Sequence, residues 1–86
     1  MPQVRIYTTR TCGYCVAAKN LLANKGLAFN EISVDGDPVR RRELVVMSGR
    51  HTVPQIWVGE THVGGYDDLR RLEQQGELDR MIAGQG

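Results

Sequence analysis

Several features that would assign a chain to a class are scarce in this sequence. It contains only two cysteines in 86 residues, too few to hold a small secreted domain together by disulfides. No apolar run approaches the roughly 20 residues of a membrane-spanning helix. The formal net charge is only +1, which provides no field for a nucleic acid or an acidic partner. These absences argue against a disulfide-stapled, a membrane-spanning and a nucleic-acid-binding protein.

The length and the N-terminal residues give further expectations. A chain of 86 residues provides one small domain, so we expect residues 1–86 to form a single unit with a modest core. The first residues contain no apolar core of a secretion signal, which favours a cytoplasmic location. In such a reducing compartment a lone cysteine pair is expected to act in catalysis or to bind a metal ion.

Local patterns alternate between strand and helix along the chain. Strands are predicted over 4–8, 29–34, 54–58 and 61–63, and helices over 13–25, 38–48 and from residue 67, with a final helical turn over 77–83. Asp37-Pro38 is a typical helix start, and Gly26 and Gly49 are typical helix ends. The order β-α-β-α-β-β-α indicates an α/β fold with a parallel first pair of strands and an antiparallel last pair. We expect only residues 84–86 to fray.

The predicted core follows from the same patterns. Apolar residues recur at core-facing positions of the first helix and of the strands: Leu21, Leu22, Phe29, Ile32, Ile56 and Val58. Because side chains alternate along a strand, Trp57 is expected to cover the opposite face of the sheet from its two neighbours.

Cys12-Gly13-Tyr14-Cys15 is the most informative segment, because both cysteines lie three residues apart at the predicted start of a helix. This spacing brings their Cα atoms to roughly 5 Å, within the range that a disulfide accepts. The positive end of the helix favours the thiolate of Cys12, whereas Cys15 lies one turn further in and is more covered. The segment therefore predicts that Cys12 attacks and Cys15 resolves.

The residues alone leave alternative roles open for the cysteine pair. The cysteines could be inert core residues, or they could form half of a zinc site. The sequence has no second pair of cysteines, so His51 and His62 would have to complete such a site, and these histidines lack the spacing of paired ligands. A third alternative is an iron–sulfur cluster held between two copies of the chain.

Four blocks in a fixed order resemble the glutaredoxin family, specifically its small bacterial dithiol members. They are Cys12-Gly13-Tyr14-Cys15, Thr52-Val53-Pro54-Gln55, Gly64-Gly65 and Asp67-Asp68, and the resemblance covers essentially the whole chain. It implies a thioredoxin-like fold, with a four-stranded mixed sheet flanked by helices. It also implies a glutathione-dependent oxidoreductase that reduces protein–glutathione mixed disulfides and protein disulfides. Glutathione would be the cosubstrate, no metal would be needed, and the protein would act as a monomer.

The resemblance assigns most of the glutathione-binding residues. In relatives the proline at Pro54 is cis, and Thr52, Val53 and Pro54 would hold the cysteinyl residue of glutathione opposite Cys12. Glycines allow close backbone approach, and a helix start offers N–H donors to a carboxylate. The residues expected at the γ-glutamyl end are Gly65, Tyr66, Asp67 and Asp68. Of the two acids, Asp67 is expected to cap the helix and Asp68 to bind the ammonium group.

Three further side chains complete the predicted site. Tyr14 is expected to pack along the glutathione backbone. Arg41 lies eleven residues before Thr52, where relatives have a Gln or Arg that binds the glycyl carboxylate, and a guanidinium fork suits a carboxylate. Relatives usually carry a lysine three residues before the first cysteine. This chain has Thr9 there, so its neighbour Arg10 is the candidate for that role.

Gly13 is a second departure, because the commonest family motif has proline at this position. Glycine restores an N–H near the Cys12 sulfur and loosens the turn. Some relatives with this motif bind a [2Fe–2S] cluster through such thiolates and two glutathiones. The alternative function is therefore a cluster-binding homodimer that stores or transfers iron–sulfur. A third hypothesis is a thioredoxin-like electron donor that ignores glutathione. His51 is unusual beside Thr52 and is expected to be exposed.

Overall fold

Strands and helices alternate in a computed structural model that describes residues 2–84. The elements are β1 (Val4–Thr8), α1 (Gly13–Asn24), β2 (Asn30–Ser33), α2 (Pro38–Ser48), β3 (Gln55–Val58), β4 (Thr61–Gly64), α3 (Tyr66–Gln74) and α4 (Glu77–Ile82). Every predicted element is present with bounds that differ by at most one residue, and the predicted final turn is a separate short helix. Of the residues expected to fray, 85 and 86 lie outside the described residues.

The four strands form one mixed sheet in the order β2-β1-β3-β4. The first two strands are parallel and are connected through α1, whereas β1 pairs with β3, and β3 with β4, in antiparallel fashion. Gly59 at the turn between β3 and β4 has a positive φ of 59°, a conformation that glycine adopts without a steric penalty. The predicted mixed sheet and its strand directions are confirmed.

Apolar side chains pack on both faces of the sheet. The larger cluster consists of Val4, Ile6, Ala18, Leu22, Ile56, Val58, Leu69, Leu78 and Ile82, with Leu21 and Phe29 packed against it. The smaller cluster lies on the other face and consists of Tyr7, Val34, Leu44 and Trp57, with Ile32 packed against it. Trp57 therefore faces away from Ile56 and Val58, as predicted from the alternation of side chains along a strand.

The residues of the predicted site lie in or next to three of the segments that connect strands and helices. Cys12 precedes α1 directly, and the segment Arg50–Pro54 leads from α2 into β3. Gly65 joins β4 to α3. The start of α2 is capped as its sequence predicts. Asp37 accepts a hydrogen bond from the Arg40 N–H at 2.9 Å, and a proline occupies the first position of the helix. None of the helices within residues 2–84 is long and apolar enough to cross a membrane.

Candidate active site

Cys12 occupies the N-cap position of α1, with an extended backbone at φ −111° and ψ 108°. Its sulfur accepts a hydrogen bond from the Cys15 N–H at 3.1 Å and lies 3.5 Å from the carbonyl oxygen of Val53. A sulfur at this position takes the place of the oxygen that usually caps a helix, at the positive end of the helix dipole. The Cys15 N–H and the helix dipole favour negative charge at this position, whereas the Val53 carbonyl oxygen is an acceptor for the thiol hydrogen.

Cys15 has a different environment although it lies only one helical turn away. Its side chain is 1% exposed, and both cysteines are in the free thiol form. Burial, followed by a hydrogen bond with the Cys12 side chain, raises the pKa of Cys15 to about 12. Cys15 therefore remains a protonated thiol at neutral pH. This asymmetry fits the predicted roles, in which the partly exposed sulfur attacks and the buried one resolves.

A hollow of about 320 Å³ lies beside Cys12, since Val53, whose carbonyl oxygen is 3.5 Å from the Cys12 sulfur, lines it. Its lining residues are Tyr14, Arg50, Thr52, Val53, Pro54, Gly65, Tyr66, Asp67 and Asp68. Eight of the ten predicted glutathione-binding residues thus come together in one place, and the Val53–Pro54 peptide bond is cis. A larger hollow of about 540 Å³ lies near the start of β1 and the end of α1, but no titratable side chain lines it. We therefore treat the hollow beside Cys12 as the candidate binding site.

Asp68 is a charged residue of this hollow whose carboxylate accepts two hydrogen bonds. Its Oδ2 atom accepts hydrogen bonds from Arg50 Nη1 at 2.8 Å and from the Gly65 N–H at 2.9 Å. These two bonds, the Arg50 bond first, lower the pKa of Asp68 below its ordinary value. The folded chain therefore holds Asp68 as a carboxylate, and the stabilisation that it provides is lost only as the pH falls through this lowered pKa.

The capping role predicted for Asp67 was wrong. The first residue of α3 is Tyr66, one position earlier than predicted, so the N-cap residue is Gly65 and position N3 is Asp68. A side chain at N3 can reach back to the N–H of the N-cap residue, and Asp68 makes this bond. Asp67 is exposed in the first turn of α3 and lines the hollow without a capping bond.

Arg50 is a residue of the hollow that the sequence patterns did not predict. It lies only two residues before Thr52, but its contact with Asp68 spans 18 residues of sequence. No local pattern distinguishes it from the other arginines of the chain. The sequence offered only a weak indication. Arg50 is a positively charged residue close to Thr52, and the predicted γ-glutamyl block contains the acidic residues Asp67 and Asp68. His51, its neighbour, is exposed as predicted.

Arg10 and Arg41 lie outside the hollow. The Arg10 N–H donates to the Asp35 carboxylate at 2.6 Å, and the Arg10 guanidinium lies 3.7 Å from the same group. Arg41 is exposed and lines a second, more open hollow that also includes Asp35. Arg10 thus pairs with Asp35, and Arg41 lines the same hollow as Asp35. The predicted role of both arginines in binding glutathione stays a prediction.

The metal-binding alternatives gain no support from the described side chains. Across residues 2–84, no group of three or more His, Cys, Asp or Glu side chains is placed to hold a metal ion. His62, one of the two histidines needed for a zinc site, instead hydrogen-bonds to the side chain of Gln55.

Comparison with known proteins agrees with this geometry. The family model described as Glutaredoxin matches residues 4–63. A glutaredoxin of Pseudomonas aeruginosa is 57% identical over 83 residues, which cover 96% of this chain and 99% of that protein. Glutaredoxin 3 of Escherichia coli is 48% identical over 82 residues, covering 95% of this chain and 99% of that protein.

Two solved structures match over nearly the whole chain. The solution structure of a glutaredoxin from Brucella melitensis has a TM-score of 0.86 and 51% identity, covering 95% of this chain and 89% of the other. The crystal structure of a buckwheat glutaredoxin–glutathione complex has a TM-score of 0.89 and 26% identity, covering 99% and 80%. The chain therefore belongs to the glutaredoxin family, with a thioredoxin-like fold and the activity of a glutathione-dependent thiol–disulfide oxidoreductase.

Proposed function

We propose that this chain reduces protein–glutathione mixed disulfides and protein disulfides, with Cys12 as the attacking thiolate and Cys15 as the resolving thiol. The observation that carries the proposal is the position of the Cys12 sulfur. It accepts the Cys15 N–H at the start of α1 and lies 3.5 Å from the carbonyl oxygen of Val53, a residue that lines a hollow of about 320 Å³, while the Cys15 thiol is buried. Of the two sulfurs, only that of Cys12 belongs to a partly exposed residue, and it accepts a backbone N–H at the positive end of a helix dipole.

The proposed reaction begins when the Cys12 thiolate attacks the glutathione sulfur of a mixed disulfide. A bond forms between Cys12 and glutathione, the bond to the target protein breaks, and the target leaves as a thiolate that takes a proton from water. A second glutathione thiolate then attacks the Cys12–glutathione disulfide, which releases oxidised glutathione and restores the Cys12 thiolate. The potential of glutaredoxins lies close to that of the glutathione pool, so both directions are accessible.

A protein disulfide follows the second branch. The Cys12 thiolate first attacks one sulfur of the target disulfide, which breaks that bond and leaves the other target sulfur as a thiolate that takes a proton from water. Cys15 then loses its proton to water and attacks the Cys12 sulfur, which closes the Cys12–Cys15 bond and frees the target as a dithiol. Two glutathione molecules afterwards reduce the Cys12–Cys15 bond and leave as oxidised glutathione. In the dithiol form, the hydrogen bond with Cys12 and its nearby charge add to burial in raising the pKa of Cys15. Both of these contributions disappear once Cys12 is in a disulfide, so Cys15 becomes a better nucleophile at the step that needs it.

The charges of the hollow fit the γ-glutamyl end of glutathione. This end carries a carboxylate and an ammonium group on one carbon atom, and Arg50 and Asp68 form an ion pair of the complementary signs at 2.8 Å. The rings of Tyr14 and Tyr66 stack at a centroid distance of 6.1 Å and form an apolar wall of the same hollow. The buckwheat relative whose structure contains glutathione supports a glutathione site in this fold.

The two adjacent acids of α3 provide a test of this orientation. We expect Asp68→Asn to raise the KM for a glutathionylated peptide roughly tenfold or more, because a charge-assisted contact contributes about 1.5–3 kcal/mol. Asp67→Asn is the matched control, since Asp67 is exposed and makes no capping bond, and it should change the KM by less than about twofold. Steady-state kinetics at pH 7 give both values. An equal or larger effect of Asp67→Asn would remove Asp68 from the proposed site.

We also propose that Arg41 and Arg10 attract the glycyl carboxylate of glutathione. When glutathione is bonded to Cys12, its glycyl end would lie beyond the hollow. The support is the family resemblance and the exposure of the Arg41 side chain beside an open hollow. Because Arg41 is exposed and its charge is screened by salt, we expect Arg41→Ala to raise the KM only about threefold, with a smaller effect at 1 M salt. Arg42→Ala, at the next exposed position of α2, is the control. Equal values for the two variants would contradict the assignment.

Further expectations from the sequence remain proposals for this chain: a single domain over residues 1–86, a monomer, and a cytoplasmic location. A [2Fe–2S] cluster between two copies would receive only the Cys12 sulfur from each, so its other ligands would have to be glutathione thiolates. No observation on this chain favours that function over the enzyme. Sedimentation and the visible spectrum of the purified protein separate the colourless monomer from a cluster-bearing dimer, and cell fractionation tests the location.

A further inference from the structure

Gln55 is a fully buried polar residue next to the candidate site. It is the first residue of β3, its relative exposure is 0%, and the three residues that follow it are buried and apolar. An amide group in such surroundings is unfavourable unless its hydrogen bonds are satisfied. An apolar side chain of the same length would fill this place without that requirement, so the partners of the amide show what it does.

The amide group of Gln55 binds Thr52. Its Nε2 atom donates to the Thr52 carbonyl oxygen at 3.1 Å and to the Thr52 hydroxyl at 3.3 Å. The carbonyl of Thr52 and the N–H of Val53 belong to one planar trans peptide unit and point in opposite directions. By holding the carbonyl towards the buried side, Gln55 turns the Val53 N–H the other way. Within residues 2–84, this N–H donates no hydrogen bond, and Val53 lines the hollow beside Cys12.

His62 anchors the other end of the Gln55 side chain. Because the amide nitrogen donates to Thr52, the amide oxygen faces His62 Nε2 at 2.7 Å, and this nitrogen must carry the hydrogen. The His62 ring also packs on Trp57 at a centroid distance of 4.6 Å. Burial, followed by the charge of Arg50, lowers the pKa of His62, which favours a neutral ring with one fixed donor. A chain of contacts thus runs from β4 through Gln55 to Thr52.

We infer that Gln55, anchored by His62, is a positioning residue that fixes the direction of the Val53 N–H and thereby sets the affinity of the site for glutathione. Gln55 itself contacts neither the reacting sulfur nor the hollow, so it acts only through the peptide unit between Thr52 and Val53. The inference rests on the proposed binding of glutathione in the hollow beside Cys12. It adds to that proposal the reason why a polar side chain is buried behind the binding loop.

Gln55→Met tests the inference, because methionine is similarly long and unbranched but cannot donate to Thr52. The misdirected Val53 N–H should weaken one neutral hydrogen bond to the ligand. We expect the KM for a glutathionylated peptide to rise roughly three- to tenfold, with kcat within about twofold of the parent value. The rate at which iodoacetamide alkylates Cys12 should not change. Gln74→Met, at an exposed position of α3, is the matched control and should leave all three values unchanged.

A binding measurement separates this inference from the proposed function. S-methylglutathione, which cannot form a disulfide, is titrated into the reduced ¹⁵N-labelled protein while the Val53 amide signal is followed. If that signal and the other signals of the hollow do not move in the parent protein, the proposed glutathione site fails, and the inference fails with it. If they move in the parent and Gln55→Met binds with the same dissociation constant, only the inference is overturned. A three- to tenfold weaker binding supports it.

His62→Phe provides a second variant in case Gln55→Met does not fold. Phenylalanine keeps an aromatic ring against Trp57 but has no donor for the Gln55 oxygen. Gln55 then retains its bonds to Thr52 without its anchor, so we expect S-methylglutathione to bind about two- to threefold more weakly. An unchanged dissociation constant in His62→Phe would overturn the role of the anchored Gln55 side chain.

Discussion

Cys12→Ser should reduce both activities, the reduction of protein–glutathione mixed disulfides and the reduction of protein disulfides, to the rate without enzyme. The serine hydroxyl can occupy the same N-cap position and accept the same Cys15 N–H, so the fold should be retained. It cannot, however, form the disulfide on which both reactions depend. Cys15 cannot substitute, because its side chain is 1% exposed and burial, the largest cause of the raised pKa of its thiol, remains when Cys12 is replaced.

Cys15→Ser should separate the two activities. We expect it to retain the reduction of mixed disulfides, because a second glutathione resolves the Cys12–glutathione intermediate, and to lose the reduction of protein disulfides. The measurement uses one glutathionylated peptide and one protein disulfide as substrates, with mass spectrometry to detect glutathione on Cys12. Cys12→Ser serves as the comparison. If Cys12→Ser still reduced the glutathionylated peptide, our assignment of the nucleophile would be wrong.

Selective alkylation provides an independent control for this pair of variants. With a pKa of about 12, the fraction of Cys15 present as thiolate at pH 7 is on the order of 10⁻⁵. Iodoacetamide should therefore modify Cys12 in the parent protein and should reach Cys15 only after unfolding. Peptide mapping distinguishes the two sites. If Cys15 of Cys12→Ser is likewise modified only after unfolding, the loss of activity in that variant is due to the missing nucleophile and not to a disturbed Cys15.

The bounds of a helix were predicted most accurately where residues at the boundary itself determine them. Asp37 and Pro38 define the start of α2, and Gly49, with a φ of +71°, ends it, so both bounds follow from residues at the boundary itself. The start of α3 was one residue off because its N-cap residue, Gly65, has no side chain to serve as a signal. The bond that caps α3 comes instead from Asp68, three residues further on.

The candidate site was predictable where its residues lie in short segments and less so where they depend on long-range contacts. The cysteine segment and the Thr52 block are local patterns, and the structure brings both to one hollow. Arg50 depends on a partner 18 residues away, which no local pattern reveals. Gln55 depends on burial, since a polar residue at the start of a strand does not differ in sequence from one at an exposed edge.

Gly64→Ala should both destabilise the fold and weaken ligand binding, because the added methyl group meets two residues that line the hollow, Asp68 and Arg50. Gly64 has a φ of +116°, outside the range that residues with a side chain ordinarily adopt. A Cβ atom at this position would lie 2.8 Å from Asp68 Cγ and closer still to Asp68 Oδ2, and 3.1 Å from Arg50 Nη1. The new methyl group would therefore push the Asp68 carboxylate away from both of its hydrogen-bond partners.

Two effects follow from this displacement. The fold should lose roughly 2–4 kcal/mol of unfolding free energy, from backbone strain together with the broken bonds of a charged group. Affinity for S-methylglutathione should fall by about tenfold or more, because the complementary charges at the proposed γ-glutamyl end are displaced. Urea unfolding and a binding titration measure the two effects separately, and the titration is performed under conditions in which the variant is folded.

Gly36→Ala provides the control for backbone strain alone. Gly36 also has a positive φ, +64°, but no atom lies within 4 Å of the place where its Cβ would be. It should cost about 1–2 kcal/mol of stability and leave the binding of S-methylglutathione unchanged. If Gly64→Ala were no more destabilising than Gly36→Ala and bound the ligand equally well, the Asp68 carboxylate could not be held as tightly as its bonds to Arg50 and Gly65 require. The orientation proposed for glutathione would then lose its anchor, because it depends on a fixed carboxylate at that end of the hollow.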